Sequence, residues 1–291
     1  MAKNKMTVNP FETMNFASSE AYKLLRTNIM FSFPMEKKCR IIGVTSSVRG
    51  EGKSTTSLHL AYSLAESGKL TLLIDADLRL PSIHQKLDIT SKPGLSNLLA
   101  GMNTEKECRR PSPFSEKLYV LTAGDIPPNP SELLGSQRMA KLMGTYSEAF
   151  DYVIVDLPPI SVVTDALVTT SWADGLVLVV RENYTSEAVL DDTMYQIKKI
   201  NAKLLGFVLT YADISKAGYG RYGKRYGGKY GKKYGYGYSY GYDSAYEDSG
   251  SKSNKKKSNA FVMAANDTDA VEREPEKQKP EKQKPEDKDT E

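Results

Sequence analysis

Residues 46 to 55 read SSVRGEGKST, which places two glycines, a lysine and several hydroxyls within ten positions. Gly50 and Gly52 let the backbone approach a ligand closely, and Lys53 brings a positive charge on a long stem. This is the equipment for a polyphosphate. Backbone N–H groups of Ser47, Val48, Arg49, Gly50, Glu51, Gly52, Lys53, Ser54 and Thr55 would wrap the phosphates of ATP, Lys53 would reach the β and γ oxygens, and the Ser54 hydroxyl would ligate Mg²⁺. The strict pattern has glycine where Ser47 stands, so the match is to a variant of the loop.

Two further carboxylate motifs follow. LLIDADLR, residues 72–79, carries Asp75 and Asp77 two positions apart at the end of an apolar run, so both project to one side of a strand. Carboxylates so close repel unless a cation lies between them, and Mg²⁺ arriving with ATP is that cation. Standing alone, such a pair would equally suit a helix cap or a solvated turn. YVIVDLPP, residues 152–159, delivers Asp156 at a strand end as a Walker B carboxylate. The metal set read from these motifs is Ser54, Asp77 and Asp156.

These residues need strands that end where they begin. RIIGVTS, LTLLIDAD, LYVLTAG, DYVIVDLP, GLVLVVRE and LLGFVLTYA are short and apolar nearly throughout, as strands covered on both faces by helices should be. Helical stretches are expected between them at 53–67, 94–100, 131–146 and 186–200, with Gly68 closing the first as a left-handed cap. An earlier helix is expected in EAYKLLRTNIMF, capped by Ser18 or Ser19, with Tyr22, Leu25, Ile29 and Phe31 on its apolar face. The fold class is thus α/β: a mostly parallel sheet with helices on both faces, of the P-loop NTPase type with a variant Walker A.

The chain is expected to divide into a flexible N-terminus (1–16), the ATP-binding domain with its leading helix (17–215), a flexible tyrosine-rich segment (216–246) and a charged, disordered extension (247–291). Tyr219, Tyr222, Tyr226, Tyr230, Tyr234, Tyr236, Tyr238, Tyr240, Tyr242 and Tyr246 are separated mainly by glycine, lysine and arginine, a composition without the aliphatic residues a core needs. The extension ends in PEKQK twice and then PEDKD, a low-complexity repeat. The net charge of +4 is small and hides this polar tail. Cys39 and Cys108 form no CxxC pair and read as buried thiols of a reducing compartment. His59 and His84 read as packing or surface residues rather than catalysts. The N-terminus lacks the apolar core of a signal peptide, and no run approaches the ~18 apolar residues needed to cross a bilayer.

Together SSVRGEGKS, LLIDADLR, VIVDLPP and the Tyr219–Tyr246 run, with PPNPSELLGS at 127–136, resemble the bacterial tyrosine kinases of capsule and exopolysaccharide loci, over roughly residues 15–246. The resemblance implies a protein-tyrosine kinase using ATP and Mg²⁺, with a catalytic set of Lys53, which stabilises charge on the transferred phosphate, and Asp75 and Asp77, which assist the metal and the incoming hydroxyl; Asp77 is favoured as the base, although spacing alone does not separate it from Asp75, Ser54 and Asp156 hold the metal, and the ten tyrosines are phosphoacceptors in trans. It also implies regulation of polysaccharide synthesis and export. Glu20, Lys23 and Arg26 occupy the positions of the family's ExxRxxR oligomerisation motif, with lysine at the first arginine, and Arg79 is a candidate phosphate or subunit contact. Implied partners are a membrane-embedded co-polymerase that activates the kinase, a cognate tyrosine phosphatase, other copies in a ring and further tyrosine-containing proteins. The implied location is cytoplasmic, at the inner face of the cell membrane. A partitioning-type switch ATPase is the alternative, but Val48 stands where that group carries a signature lysine. The tail's arginine, glycine and tyrosine would also suit RNA; on a chain with a kinase-like ATP site, no nucleic-acid partner is expected.

Overall fold

The computed structural model of the chain describes residues 9, 11, 12, 14–34, 36–160, 172–212 and 261–263. All ten tyrosines from Tyr219 to Tyr246 lie outside the described residues, as does nearly all of the charged extension.

Strands β1 (Arg40–Ser46), β2 (Thr71–Asp75), β4 (Ser115–Leu121), β5 (Tyr152–Asp156), β6 (Gly175–Arg181) and β7 (Leu204–Thr210) are the six apolar runs of the sequence, and they form the parallel body of one sheet. Two short antiparallel strands, β3 (Arg109–Ser112) and β8 (Phe261–Met263), complete its edges, giving the order β3-β4-β2-β5-β1-β6-β7-β8; β8 departs from the disorder expected throughout 247–291, because its three apolar residues find a partner in the edge of β7. Period-two alternation sends side chains to two cores. Ile42, Val44, Leu73 and Ile154 face one side, with helices α1 (Phe16–Phe31) and α2 (Lys53–Glu66), while Ile41, Leu72, Ile74, Val153 and Val155 face the other. On that second face lie α4 (Leu95–Leu99), α7 (Gln137–Ala149) and α8 (Glu187–Lys199). Central β1 sits between β5 and β6, so strands diverge to either side beyond its C-terminal end, where ligands of open α/β sheets bind.

Several boundaries differ from expectation for local reasons. α1 begins at Phe16, capped by Asn15, whose side chain accepts from the Ser18 N–H at 2.8 Å; Ser18 itself is buried within the helix. Tyr22, Leu25 and Ile29 are buried as expected, each gaining roughly 2 kcal/mol, but Phe31 is 85% exposed. Residues 1–16 were expected to be free of the body, yet Phe11 is buried and stacks on Tyr62 at 3.6 Å between centroids. The stretch 131–146 is two helices, α6 (Pro130–Leu134) and α7, because Ser136 turns the chain at Gly135 and caps α7 by accepting from the Met139 N–H. Helices α3 (Ile83–Leu87) and α5 (Glu105–Cys108) are too short to show a period. Gly68 takes φ +86°, as its capping role demands.

Candidate active site

The loop between β1 and α2 has Gly50 at φ +82° and Gly52 at φ +94°, a left-handed backbone that side chains resist. Gly52 is the N-cap of α2 and supplies no side chain to it, so the first N–H groups of the helix are left for a ligand. Behind the loop, Glu51 is fully buried. Its carboxylate accepts from the Val48 N–H at 2.7 Å, the Arg181 N–H at 3.3 Å and the Thr185 hydroxyl, and its carbonyl oxygen accepts from the Thr210 hydroxyl at 2.6 Å. Glu51 thus bolts the loop to the ends of β6 and β7.

A cleft of about 240 Å³ opens over this loop. Of the expected residues it is lined by Arg49, Gly50, Gly52, Lys53, Ser54, Thr55 and Asp77. Ser47, Val48 and Glu51 do not line it, and the Val48 N–H is engaged by the Glu51 carboxylate. Lys53 Nζ lies 2.8 Å from Asp77 Oδ2, 3.6 Å from Asp156 Oδ2 and 3.3 Å from Ser54 Oγ. Burial pulls the Lys53 pKa down, but the carboxylates of Asp156 and Asp77 outweigh it and the net shift is upward, so the ammonium is retained.

The two aspartates of LLIDADLR are now distinguishable. Asp75 lies behind the cleft and accepts from the Ser82, Ile83 and Asp77 N–H groups at 3.1, 3.0 and 3.3 Å. Burial, and then the charge of Asp156, push its pKa up to about 8. Asp77 faces the cleft, and its Oδ1 accepts from the Leu80 N–H at 3.0 Å. Asp156 is fully buried; Ser57 Oγ donates to its Oδ1 at 3.0 Å, while Oδ2 has no hydrogen-bond partner. A buried carboxylate oxygen that accepts no hydrogen bond and has the Lys53 ammonium 3.6 Å away has room for a further cation or a cation-bound water.

Other residues of the site give no local sequence signal. Leu80, Ser82 and Lys86 close the cleft on the α3 side, where Lys86 Nζ donates to Thr55 Oγ1 at 3.1 Å. At the opposite end, the Arg181 guanidinium lies over the rings of Tyr184 (4.6 Å) and Tyr211 (4.1 Å) and donates to the Gly50 carbonyl at 3.3 Å. Only their positions at or just past the ends of β6 and β7 could have singled them out. Arg79 lines a separate cleft of about 610 Å³ beyond Leu80. On α1, Glu20 and Lys23 pair at 2.7 Å on the exposed face, but Arg26 turns inward and donates to the Ser63 carbonyl at 2.8 Å, so the three do not form one outward stripe.

Residues 39–207, more than half of the chain, match the AAA domain family. The tyrosine-protein kinase YwqD of Bacillus subtilis (strain 168) is 37% identical over 227 residues, which cover 77% of this chain and 93% of that protein. The chain belongs to the bacterial tyrosine kinases of capsule and exopolysaccharide loci. Among solved structures, the kinase domain of the Escherichia coli tyrosine kinase ETK matches with a TM-score of 0.66 at 30% identity, covering 71% of this chain and 82% of that one. The chimerical protein CapA2B2 matches with a TM-score of 0.63 at 34% identity, covering 67% and 90%. The protein is accordingly a nucleotide-binding protein-tyrosine kinase, and the partitioning-type switch ATPase is the less supported reading. Among the described residues, no helix is long and apolar enough to cross a membrane.

Proposed function

We propose that this kinase moves the γ-phosphoryl group of ATP onto the tyrosines between Tyr219 and Tyr246 of a neighbouring copy. The observation that carries the proposal is the convergence of Lys53, Asp77 and Asp156 over a glycine loop, one cation among carboxylates. In it, the glycine loop and the α2 N-terminus hold the phosphates, while Lys53 leaves Asp77 to neutralise charge on the γ oxygens. Ser54, Asp156 and Asp77 would hold Mg²⁺, directly or through water, and the free Asp156 oxygen is the observation that fits it. Bound there, Mg²⁺ supplies charge neutralisation on the β and γ oxygens.

Asp77 is the base of choice, because it faces the cleft whereas burial favours the protonated form of Asp75. The tyrosine oxygen bonds to the γ phosphorus as the bond to the β–γ bridging oxygen breaks, and the phenolic proton passes to Asp77. Positioning does most of the work, so a weak base suffices. Arg181, with Tyr184 and Tyr211, is assigned to the base end of the nucleotide.

The kinase works at the inner face of the cell membrane with a membrane-embedded co-polymerase that activates it, and a tyrosine phosphatase resets it. α1 contributes to a ring of copies through Glu20 and Lys23, and Arg26 acts by seating α1 on α2. Other tyrosine-containing proteins serve as further substrates. The test is incubation with Mg²⁺ and labelled ATP, with the activator's cytoplasmic segment present, beside a Lys53→Met variant. Phosphate on several of the ten tyrosines, reduced about 10³-fold or more in the variant, is the expected result; ATP hydrolysis without phosphotyrosine would point to a switch ATPase instead.

A further inference from the structure

β7 (Leu204–Thr210) is the last strand of the parallel body, and its outer edge would present a row of unpaired N–H and C=O groups. That edge is taken by the chain's own C-terminal extension. β8 (Phe261–Met263) pairs with it antiparallel, setting Phe261 opposite Leu209, Val262 opposite Val208 and Met263 opposite Phe207, and α1 lies alongside β8. The sequence marks the same place: AFVMAA, residues 260–265, is an apolar island between KKKSN and NDTD in an otherwise polar extension. Apolar, partly β-branched residues are what adding a strand to a sheet edge requires.

The direction of pairing decides where the ends fall. β7 runs parallel to β6 and β1, so its C-terminal end lies at the nucleotide edge, where the Thr210 hydroxyl is bonded to the Glu51 carbonyl. An antiparallel partner must start at that same edge, and Phe261 does. Ala212 and Phe261, the described residues flanking the tyrosine-rich stretch, therefore both lie at the C-terminal end of β7, the end that meets the phosphate loop through Thr210. We infer that the edge of β7 is a docking surface for residues Phe261–Met263 of the same chain, which tether the tyrosine-rich stretch to the catalytic edge at both ends.

The consequence for catalysis rests on the proposal that these tyrosines are the acceptors. Measured from Ala212 alone, Tyr246 is 34 residues away, a contour of about 115 Å; measured from Phe261 it is 15 residues away, about 50 Å. Because effective concentration falls roughly as the −3/2 power of tether length, the shorter tether raises that of Tyr246 at the nucleotide end of its own copy about threefold, and a neighbouring copy's site that meets this end shares the gain. Tyr219, seven residues beyond Ala212, is little affected.

The test compares amide hydrogen exchange in the full chain with two altered forms that keep all ten tyrosines: a Phe261→Pro/Val262→Pro variant and a chain ending at Gly250. Successive N–H groups of a strand point to opposite edges, so proline at both positions removes the pairing donor whatever the register. The β7 amides facing β8 should exchange about tenfold faster or more in both forms, with β1 amides unchanged. In the full chain the β7 protection should not vary with protein concentration. Equal β7 exchange in all three forms overturns the inference, and so does protection lost on dilution, which would place a second copy's strand on the edge. With ATP added, early phosphate at Tyr246 relative to Tyr219 should fall about threefold in the proline variant; an unchanged ratio removes the presenting role. Phosphate on no tyrosine of any form contradicts the acceptor proposal instead, and the exchange result decides the tether without it.

Discussion

At the residue scale the site depends on which side chains face the cleft and which stand behind it. Motif spacing singled out Lys53, Ser54, Asp77 and Asp156, which the fold brings together, because each proposed role needs one residue type at a fixed offset from a strand end. It could not part Asp75 from Asp77, since both share a strand face and only the fold of the following turn buries the first beneath α3. We expect Asp77→Asn to lower kcat by 10² or more, and Asp75→Asn to lower it less. Steady-state rates on a tail-derived peptide check this, and an equal loss in both would contradict the separation. Glu51 was legible only as a loop member, yet three donors converge on its buried carboxylate. Glu51→Ala, leaving those donors unpaired, should cost about 3 kcal/mol of stability and weaken nucleotide binding without removing any phosphate contact. Urea unfolding and nucleotide titration would read the two effects.

At the element scale, apolar runs and turn residues identified all six parallel strands, because strands buried on both faces have little choice of composition. What escaped were the elements whose existence depends on a neighbour: α3 and α5 are one turn long, and β8 exists by pairing with β7. The α1–α2 seam carries a testable chemical property. His59 on α2 packs between Phe11 (5.3 Å, edge-on) and Tyr22 (4.9 Å), and its Nδ1 is buried without a partner. Burial, and then the charge of Lys86, lower its pKa to about 4. The unfolded chain therefore takes up this proton near pH 6.5 and the folded one only near 4. Stability is fully present above about pH 6.5 and declines as the pH falls toward 4, by about 2–3 kcal/mol. His59→Phe should flatten that part of the stability profile in urea unfolding across pH 4–7. Gly94, before α4, shows a stricter constraint: a Cβ there would stand 2.3 Å from the Thr122 carbonyl oxygen and 2.4 Å from the Gly124 nitrogen, both backbone. Gly94→Ala should cost about 3 kcal/mol or more, as a lowered thermal midpoint.

At the scale of the whole molecule, an α/β body carries its nucleotide cleft beyond the C-terminal ends of the parallel strands, and the tyrosine-rich stretch follows the same end of β7 in the chain. Each phosphotyrosine adds about −1.5 to −2 charges, so a few of them reverse the local excess of lysine and arginine around the acceptors. The central claim is that the Lys53 site of one copy modifies the tyrosines of another. It is tested most directly by mixing two altered full-length chains with Mg²⁺, ATP and the activator segment: a donor with all ten tyrosines from Tyr219 to Tyr246 changed to phenylalanine, and an acceptor carrying Lys53→Met. The account predicts phosphate on the acceptor's tyrosines only when both chains are present. A mixture in which they stay unmodified, while the unaltered chain does phosphorylate itself, would contradict it.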